Sequence, residues 1–244
     1  MFDPFKNFDQ AGYLQNRYGE KDPEIVRQLE HTLFRAGLDD ALAHVAKRRT
    51  LYYNDFLTVH RILFSEFYPW AGDDRAVTAP DIAVKKGDTL FCHPLDSRRA
   101  VEEGLRIGQD KAALQQHSGE VMGWFAYGHP FLDGNGRTML IIHSELCHRA
   151  GFCIEWQRTR KADYLTALSA EISSPGRGHL DRYLQNFIGA SRDRCQWGGA
   201  IDGIQGLDGS IVQDTVDGEY SDARVVQKYQ QFEMNRNHSI SGRR

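Results

Sequence analysis

The sequence predicts a mainly helical chain interrupted by one β-hairpin. Three observations carry that reading. Apolar residues recur at helical spacing in several separate blocks between residues 24 and 188. A single stretch, residues 69 to 94, replaces that period with proline and glycine punctuation around two short β-favouring runs. Beyond about residue 190, glycine and aspartate crowd the chain and apolar residues thin out.

The elements follow in order. A first helix is expected over residues 24–46, where Ile25, Leu29, Leu33, Ala36 and Leu42 keep the helical period; Asp22-Pro23 supplies a cap and a proline for the first turn. A second, over 53–67, follows Asn54-Asp55 and would bury Phe56, Val59, Leu63 and Phe67. Ile82-Ala83-Val84 and Leu90-Phe91-Cys92 then flank the polar string Lys85-Lys86-Gly87-Asp88-Thr89, which predicts the hairpin. One hairpin is marginal by itself, so it should lie against another element. Helical patterns return from Asp96 to about 110 and over 117–128, with Val121, Trp124 and Phe125 toward a core. Thr138 to Ala150 is helical and closed by Gly151; residues 160–173, with Tyr164, Leu165, Leu168 and Ile172, make the next helix, and a last core helix lies near 179–188. Residues 1–190 are thus expected as one domain, with 1–49 as its N-terminal helical region. Residues 191–244 are expected as a glycine-rich, loosely held appendage with a short helix over 222–233 and a frayed end, NHSISGRR.

Composition narrows the function classes. Thirty lysines and arginines against 33 aspartates and glutamates give a net charge of −3, so no global basic field draws in nucleic acid. No apolar run approaches the roughly 18 residues of a membrane helix, and residues 1–22 lack the features of a secretory signal. Cys92, Cys147, Cys153 and Cys195 form no C-x-x-C pair, so free thiols in a cytoplasmic setting are expected.

The densest chemistry lies in HPFLDGNGR, residues 129–137. Pro130 disfavours helix at His129, so the preceding helix should end there. Gly134 and Gly136 let main-chain amides approach a ligand. Asn135 to Arg137 would then form a helix N-terminus, where free N–H groups attract anions. Arg137 adds a guanidinium at the same rim. Asp133 would repel a phosphate but suits Mg²⁺, which takes a carboxylate together with phosphate oxygens. His129 is a side chain able to accept a proton near neutral pH. No G-x-x-x-x-G-K-S/T string exists, so this is not a P-loop. Two readings stand on the residues alone: an anion cradle with a metal carboxylate and a base, or a helix–loop–helix corner whose His and Asp cap helix ends.

HPFLDGNGR matches H-x-F-x-D/E-G-N-G-R, the motif of the Fic/Doc superfamily, at every specified position. FYPWAGDDR and the hairpin IAVKKGDTLFCHP resemble that family's lead-in segment and flap, and RYGEKDPE resembles the N-terminal region of its stand-alone members. The resemblance covers about residues 10 to 190. It implies an all-α, Fic-like helical bundle with a β-hairpin flap beside the motif loop. It also implies an enzyme that transfers AMP from Mg-ATP to a Ser, Thr or Tyr hydroxyl of a target protein. By position, His129 would be the base, Asp133 the Mg²⁺ ligand, and Gly134, Asn135, Gly136 and Arg137 the phosphate contacts. Phe131 would anchor the loop, and Tyr164 would lie near the adenine. The flap, at Lys85, Lys86, Gly87, Asp88, Thr89 and Leu90, would dock the target by β-augmentation.

The match departs from the family in one place. The pattern commonly continues R-x-x-R, but here Arg137 is followed at the third position by Leu140. That leaves the outer-phosphate contact in question, so transfer of another nucleotide or of a phosphate, or a non-catalytic binding module on the same fold, stay open. The self-inhibitory string S/T-x-x-x-E-G/N is also missing; its nearest approach, Thr215-Val216-Asp217-Gly218-Glu219-Tyr220, fails at the last position. Control by a separate antitoxin-like partner is the resulting expectation.

Overall fold

The computed structural model describes residues 14–204, 207 and 215–236. The main body is helical. α1 (Pro23–Ala46) starts where the Asp22 carboxylate accepts from the amides of Glu24 and Ile25, with Pro23 in the first turn. Its buried face runs through Val26, Phe34, Leu38 and Val45. α2 (Tyr53–Phe64) starts at the expected residue and ends three residues short of the expected 67. Asp55 is its third residue, and its carboxylate reaches back to the Tyr52 amide at 2.9 Å while holding His44 Nε2 and Arg48 Nε.

α3 (Ser97–Gly108), α4 (Lys111–Gly128) and α5 (Asn135–Arg149) form the centre of the core. α4 starts earlier than residue 117, because Asp110 caps the amides of Ala112 and Ala113. At His117 its backbone leaves helical geometry. α3 lies so close to α4 that a Cβ on Gly104 would stand 2.7 Å from the Phe125 ring. α6 (Lys161–Ser173) and α7 (His179–Leu184) pack on the far side of α4. The helix expected to reach residue 188 stops at Leu184. After one 3₁₀ turn, Ile188–Ala190 pairs antiparallel with Phe152–Ile154 as a two-stranded ribbon (β3 and β4, of which β3 is Phe152–Ile154).

The expected hairpin forms from β1 (Ile82–Lys86) and β2 (Thr89–Leu90), with Lys86 opposite Thr89 and Gly87 at φ 57° in the turn. The tail adds to it. β5 (Thr215–Glu219) pairs antiparallel with the other edge of β1, giving the strand order β2-β1-β5. A short helix, α8 (Trp197–Asp202), precedes β5, and α9 (Ala223–Arg236) follows it. Residues 215–236 of the tail are therefore packed on the hairpin, whereas α8 lies against α1, where Arg35 pairs with Asp202. Val225 and Tyr229 of α9 join Ala83 and Leu90 in a small apolar cluster, and the Tyr229 hydroxyl donates to the Val84 carbonyl at 2.9 Å. The terminal NHSISGRR and residues 205, 206 and 208–214 of the glycine-rich run lie outside the described residues.

Candidate active site

The loop between α4 and α5 holds the motif. His129 is the only described non-glycine residue with positive φ, at 39°, and it ends α4 in the left-handed region. Pro130 pushes its predecessor out of the right-handed helical region, and histidine is among the side chains that tolerate this alternative. Arg75 holds the strained turn in place. From a fully buried position its Nε donates to the His129 carbonyl at 2.6 Å and its Nη2 to the Cys92 carbonyl at 3.0 Å; its amide donates to the Pro130 carbonyl at 2.7 Å. One guanidinium thus ties the motif loop to the end of the flap.

The His129 ring is buried between two contacts. Phe91, just after β2, stacks on it at 3.7 Å with the planes 8° apart. On its edge, Asn135 Nδ2 lies 3.1 Å from His129 Nε2. Asn135 also takes the Phe131 amide on Oδ1 at 2.9 Å and donates from Nδ2 to the Phe131 carbonyl at 2.7 Å. Those two main-chain bonds fix which end of the amide is nitrogen, so Nε2 is the accepting nitrogen of the histidine. The Asn135 side chain, expected on a phosphate, closes the loop; its main-chain amide remains at the helix start.

The first turn of α5 leaves the amides of Asn135, Gly136 and Arg137 without intrahelical acceptors, as every helix start does. Gly134, at φ 75°, has no room for a side chain, since a Cβ would meet Phe64 at 2.5 Å and His60 at 3.0 Å. At Gly136 an added Cβ meets no described atom, because it faces the open cleft. Protein packing requires the first glycine, whereas the second leaves space for a ligand.

Arg137 and Asp133 differ from their expected roles in how they are held. Arg137 is buried, donates from Nη2 to Glu30 Oε1 at 2.8 Å and lies 4.6 Å above the Phe64 ring centre. Its Nη1 makes no hydrogen bond among the described residues. Burial pushes the Glu30 carboxyl up to about 7, with Arg137 opposing and the nearby Asp133 carboxylate adding to the rise. Asp133 is the more exposed group. It takes the Gly134 amide on Oδ1 at 2.5 Å and stands 3.6 Å from Arg137 Nη2, with its side chain 42 % exposed. A half-exposed single carboxylate at the mouth of an anion cradle suits Mg²⁺, which keeps waters and takes phosphate oxygens as its other ligands. Among the described residues no cluster of three or more acidic, His or Cys side chains forms a metal cage by itself.

His60, on the buried face of α2, supports the loop from below. It accepts the Gly72 amide on Nδ1 at 2.9 Å, so its Nε2–H donates to the Asp133 carbonyl at 2.9 Å. Its ring stacks at 3.7 Å on Phe131, which is fully buried as expected. Burial depresses its pKa to about 3, which keeps it neutral.

His129, Asp133, Asn135, Gly136 and Arg137 border a cavity of about 390 Å³ between the flap, the motif loop and α6. Lys86, Gly87 and Thr89 of the flap face it, and Thr89 Oγ1 bonds to Ser169 Oγ of α6 at 2.8 Å. Lys85 and Leu90 face the other way: Lys85 pairs with Asp217 of β5 at 2.8 Å, and Leu90 packs on α9. Asp88 is exposed at the tip. Tyr164 lines the cavity edge-on to Trp156, with ring centres 5.4 Å apart. Leu140 also lies on the wall, so the position three residues past Arg137 presents hydrocarbon. Lys161, at the start of α6, is a bordering cation that sequence reasoning missed. Glu30, His60, Arg75 and Phe91 were missed too. Arg75 stands in the conspicuous string AGDDR, and His60 interrupts an apolar helix face, so both left a trace; Glu30 and Phe91 left none.

Comparison with known proteins places these features in one family. A family model described as Fic/DOC matches residues 50–147. The protein adenylyltransferase VbhT of Bartonella schoenbuchensis is 27% identical over 174 residues, which span 68% of this chain and 35% of that protein. The chain thus matches about a third of that relative's length. A probable protein adenylyltransferase Fic of Escherichia coli is 29% identical over 112 residues, 43% of this chain and 54% of the other. Among solved structures, the BepC protein of Bartonella tribocorum with bound AMPPNP aligns with a TM-score of 0.64 at 16% identity, covering 78% of this chain and 99% of its own. An N-terminal Fic domain from Bartonella quintana with bound ADP aligns equally well, at 17% identity over 80% and 99%.

Proposed function

Because this chain belongs to the Fic/DOC family, we propose that it transfers AMP from ATP to a Ser, Thr or Tyr hydroxyl of a target protein. The observation that carries this reading is His129 Nε2, an acceptor nitrogen held by Phe91 and Asn135 at the edge of a cavity floored by the α5 N-terminus. Relatives named as protein adenylyltransferases and solved relatives with bound AMPPNP or ADP support it.

In the proposed step the target hydroxyl gives its proton to Nε2 of His129 as its oxygen attacks the α-phosphorus of ATP. The bond from that phosphorus to the bridging oxygen breaks, and pyrophosphate leaves. The amides at the start of α5 receive the charge on the phosphate oxygens. Asp133 would hold Mg²⁺, which when bound neutralises phosphate charge. The cavity wall at Trp156 and Tyr164 suits a base, and the flap suits an extended target segment.

Leu140 favours one second reading. With hydrocarbon on the wall there, a donor carrying less charge on its leaving group would fit the same site. Incubation with Mg²⁺ and each labelled nucleotide in turn, in a bacterial lysate, separates the readings by mass spectrometry of the modified proteins. AMP on hydroxyl side chains, lost with His129→Ala, is expected. The same modification pattern from wild type and His129→Ala contradicts an enzymatic role for this site.

A further inference from the structure

Two cavities meet behind the candidate active site. Besides the one of about 390 Å³, a smaller one of about 40 Å³ lies between α5, β3 and α8, with Cys147, Phe152, Trp197 and Ile201 on its walls. Trp156 and Ile204 border both, so these two side chains form the partition between them. Leu207 also borders the larger cavity. The segment after α8 therefore reaches the space assigned to the nucleotide.

Its position is set by the helical core. The Ile204 amide donates to the Ile201 carbonyl at 3.0 Å, which hangs the residue from the end of α8. α8 is fastened in turn on three sides. Arg35 of α1 pairs with Asp202 at 2.5 Å, Gln157 Nε2 donates to the Ala200 carbonyl at 2.7 Å, and Trp197 stands edge-on to His148 of α5 with ring centres 5.1 Å apart. A Cβ on Gly198 would come 2.9 Å from Asp39 of α1, so the helix is already as close as it can pack.

The chemistry changes along the larger cavity. Its anion-receiving groups lie at the start of α5. Trp156 meets His143, eight residues farther along that helix, roughly 12 Å from the free amides. A ribose and base would fill that span. The wall there is aromatic and aliphatic, made by Trp156, Tyr164, Leu165, Ile204 and Leu207. Such a surface offers a base area to pack on and selects it by size and shape. All five residues lie outside residues 50–147, the part that matches the family.

We propose that α8 and the turn after it build the base-side wall of the donor site, with Ile204 as the residue that limits how large a base can enter. This rests on the adenylyl-transfer reading and deepens it by assigning donor selection to the tail. Arg35 and Asp202 are positioning residues in this account, since they act through α8.

The test measures binding to the full chain by calorimetry, with ATP, tripolyphosphate and three ATP analogues that carry a propyl group at N6, C2 or C8. Ile204→Ala removes as many carbons as the propyl group adds. For one of the three analogues it is expected to raise affinity relative to ATP by about tenfold or more. Ile204→Trp fills the same space and is expected to weaken ATP about tenfold, with tripolyphosphate bound as by wild type. Ile201→Ala, behind the partition, loosens α8 alone and is expected to give no gain for any analogue. The proposal is overturned if no analogue gains with Ile204→Ala, or if Ile201→Ala gives the same gain. Unchanged ATP affinity with Ile204→Trp would overturn it too, as would loss of tripolyphosphate together with ATP, which would reduce the position to general stability. None of these measurements involves transfer. If the analogue gains appear but no acceptor is labelled, the transfer reading fails and the base wall stands; if acceptor hydroxyls receive AMP and the Ile204 variants change nothing, the wall fails and the transfer stands.

Discussion

Glu30 and Arg137 lie 107 residues apart in sequence and meet at 2.8 Å in the buried seam between α1 and the first turn of α5. This pair attaches the N-terminal helix to the motif. It also sets where the Arg137 guanidinium lies, with Nη2 turned to Glu30 and Nη1 left without a hydrogen bond among the described residues. Removing one partner of such a buried pair leaves the other charge desolvated. Glu30→Ala is therefore expected to cost about 3–5 kcal/mol in urea denaturation. Glu30→Gln, which keeps the volume and an acceptor, is expected to cost less.

The same pair predicts a pH dependence. The folded Glu30 carboxyl is raised from 4.5 to about 7, so it binds a proton more tightly in the folded chain than in the unfolded one. Its contribution to stability is fully present below pH 4.5 and is lost as pH rises through about 7, an effect on the order of 3 kcal/mol for the whole window. The difference in stability between wild type and Glu30→Gln should accordingly fall across that range. A difference that stays flat from pH 4.5 to 7.5 would show that Glu30 titrates normally.

Gly134→Ala tests the geometry of the anion cradle. At φ 75° a side chain is strained, and here its Cβ would also press on the Phe64 ring at 2.5 Å. The expected loss is at least about 2 kcal/mol of stability, with weaker nucleotide binding by calorimetry. Gly136→Ala meets no protein atom, so it should leave stability within about 1 kcal/mol of wild type while still weakening ATP binding. Equal effects of the two substitutions on folding would contradict this division of roles.

Leu140→Arg places a cation on the cavity wall where hydrocarbon now stands. ATP should bind about tenfold more tightly, roughly 1.4 kcal/mol, with AMP affinity unchanged. Calorimetric titration of both nucleotides decides it, and unchanged ATP affinity would show that Leu140 does not set the outer-phosphate contact.

Much of the centre of the site was legible because it is local. Residues 129–137 carry a base, a carboxylate, the glycines and a helix start in one string, and the helical fold with a hairpin followed from apolar spacing. What the string could not reveal was where its polar side chains point. Asn135 clasps Phe131 and Arg137 turns to Glu30, since both find main-chain or buried partners closer than the cleft. The start of α4 moved because the Asp110 carboxylate has a capping role that spacing alone does not announce. The packed tail was hidden for another reason. β5 and α9 hold on through a few separated groups (Asp217, Val225, Tyr229, Arg236), a pattern too sparse to register as periodicity.

The most direct measurement counts products in one reaction with ATP labelled at the α- and γ-phosphates. The account predicts pyrophosphate released one-for-one with AMP on acceptor hydroxyls, and neither product from His129→Ala. Release of ADP with the γ-phosphate on the acceptor, or undiminished AMP transfer by His129→Ala, would contradict it.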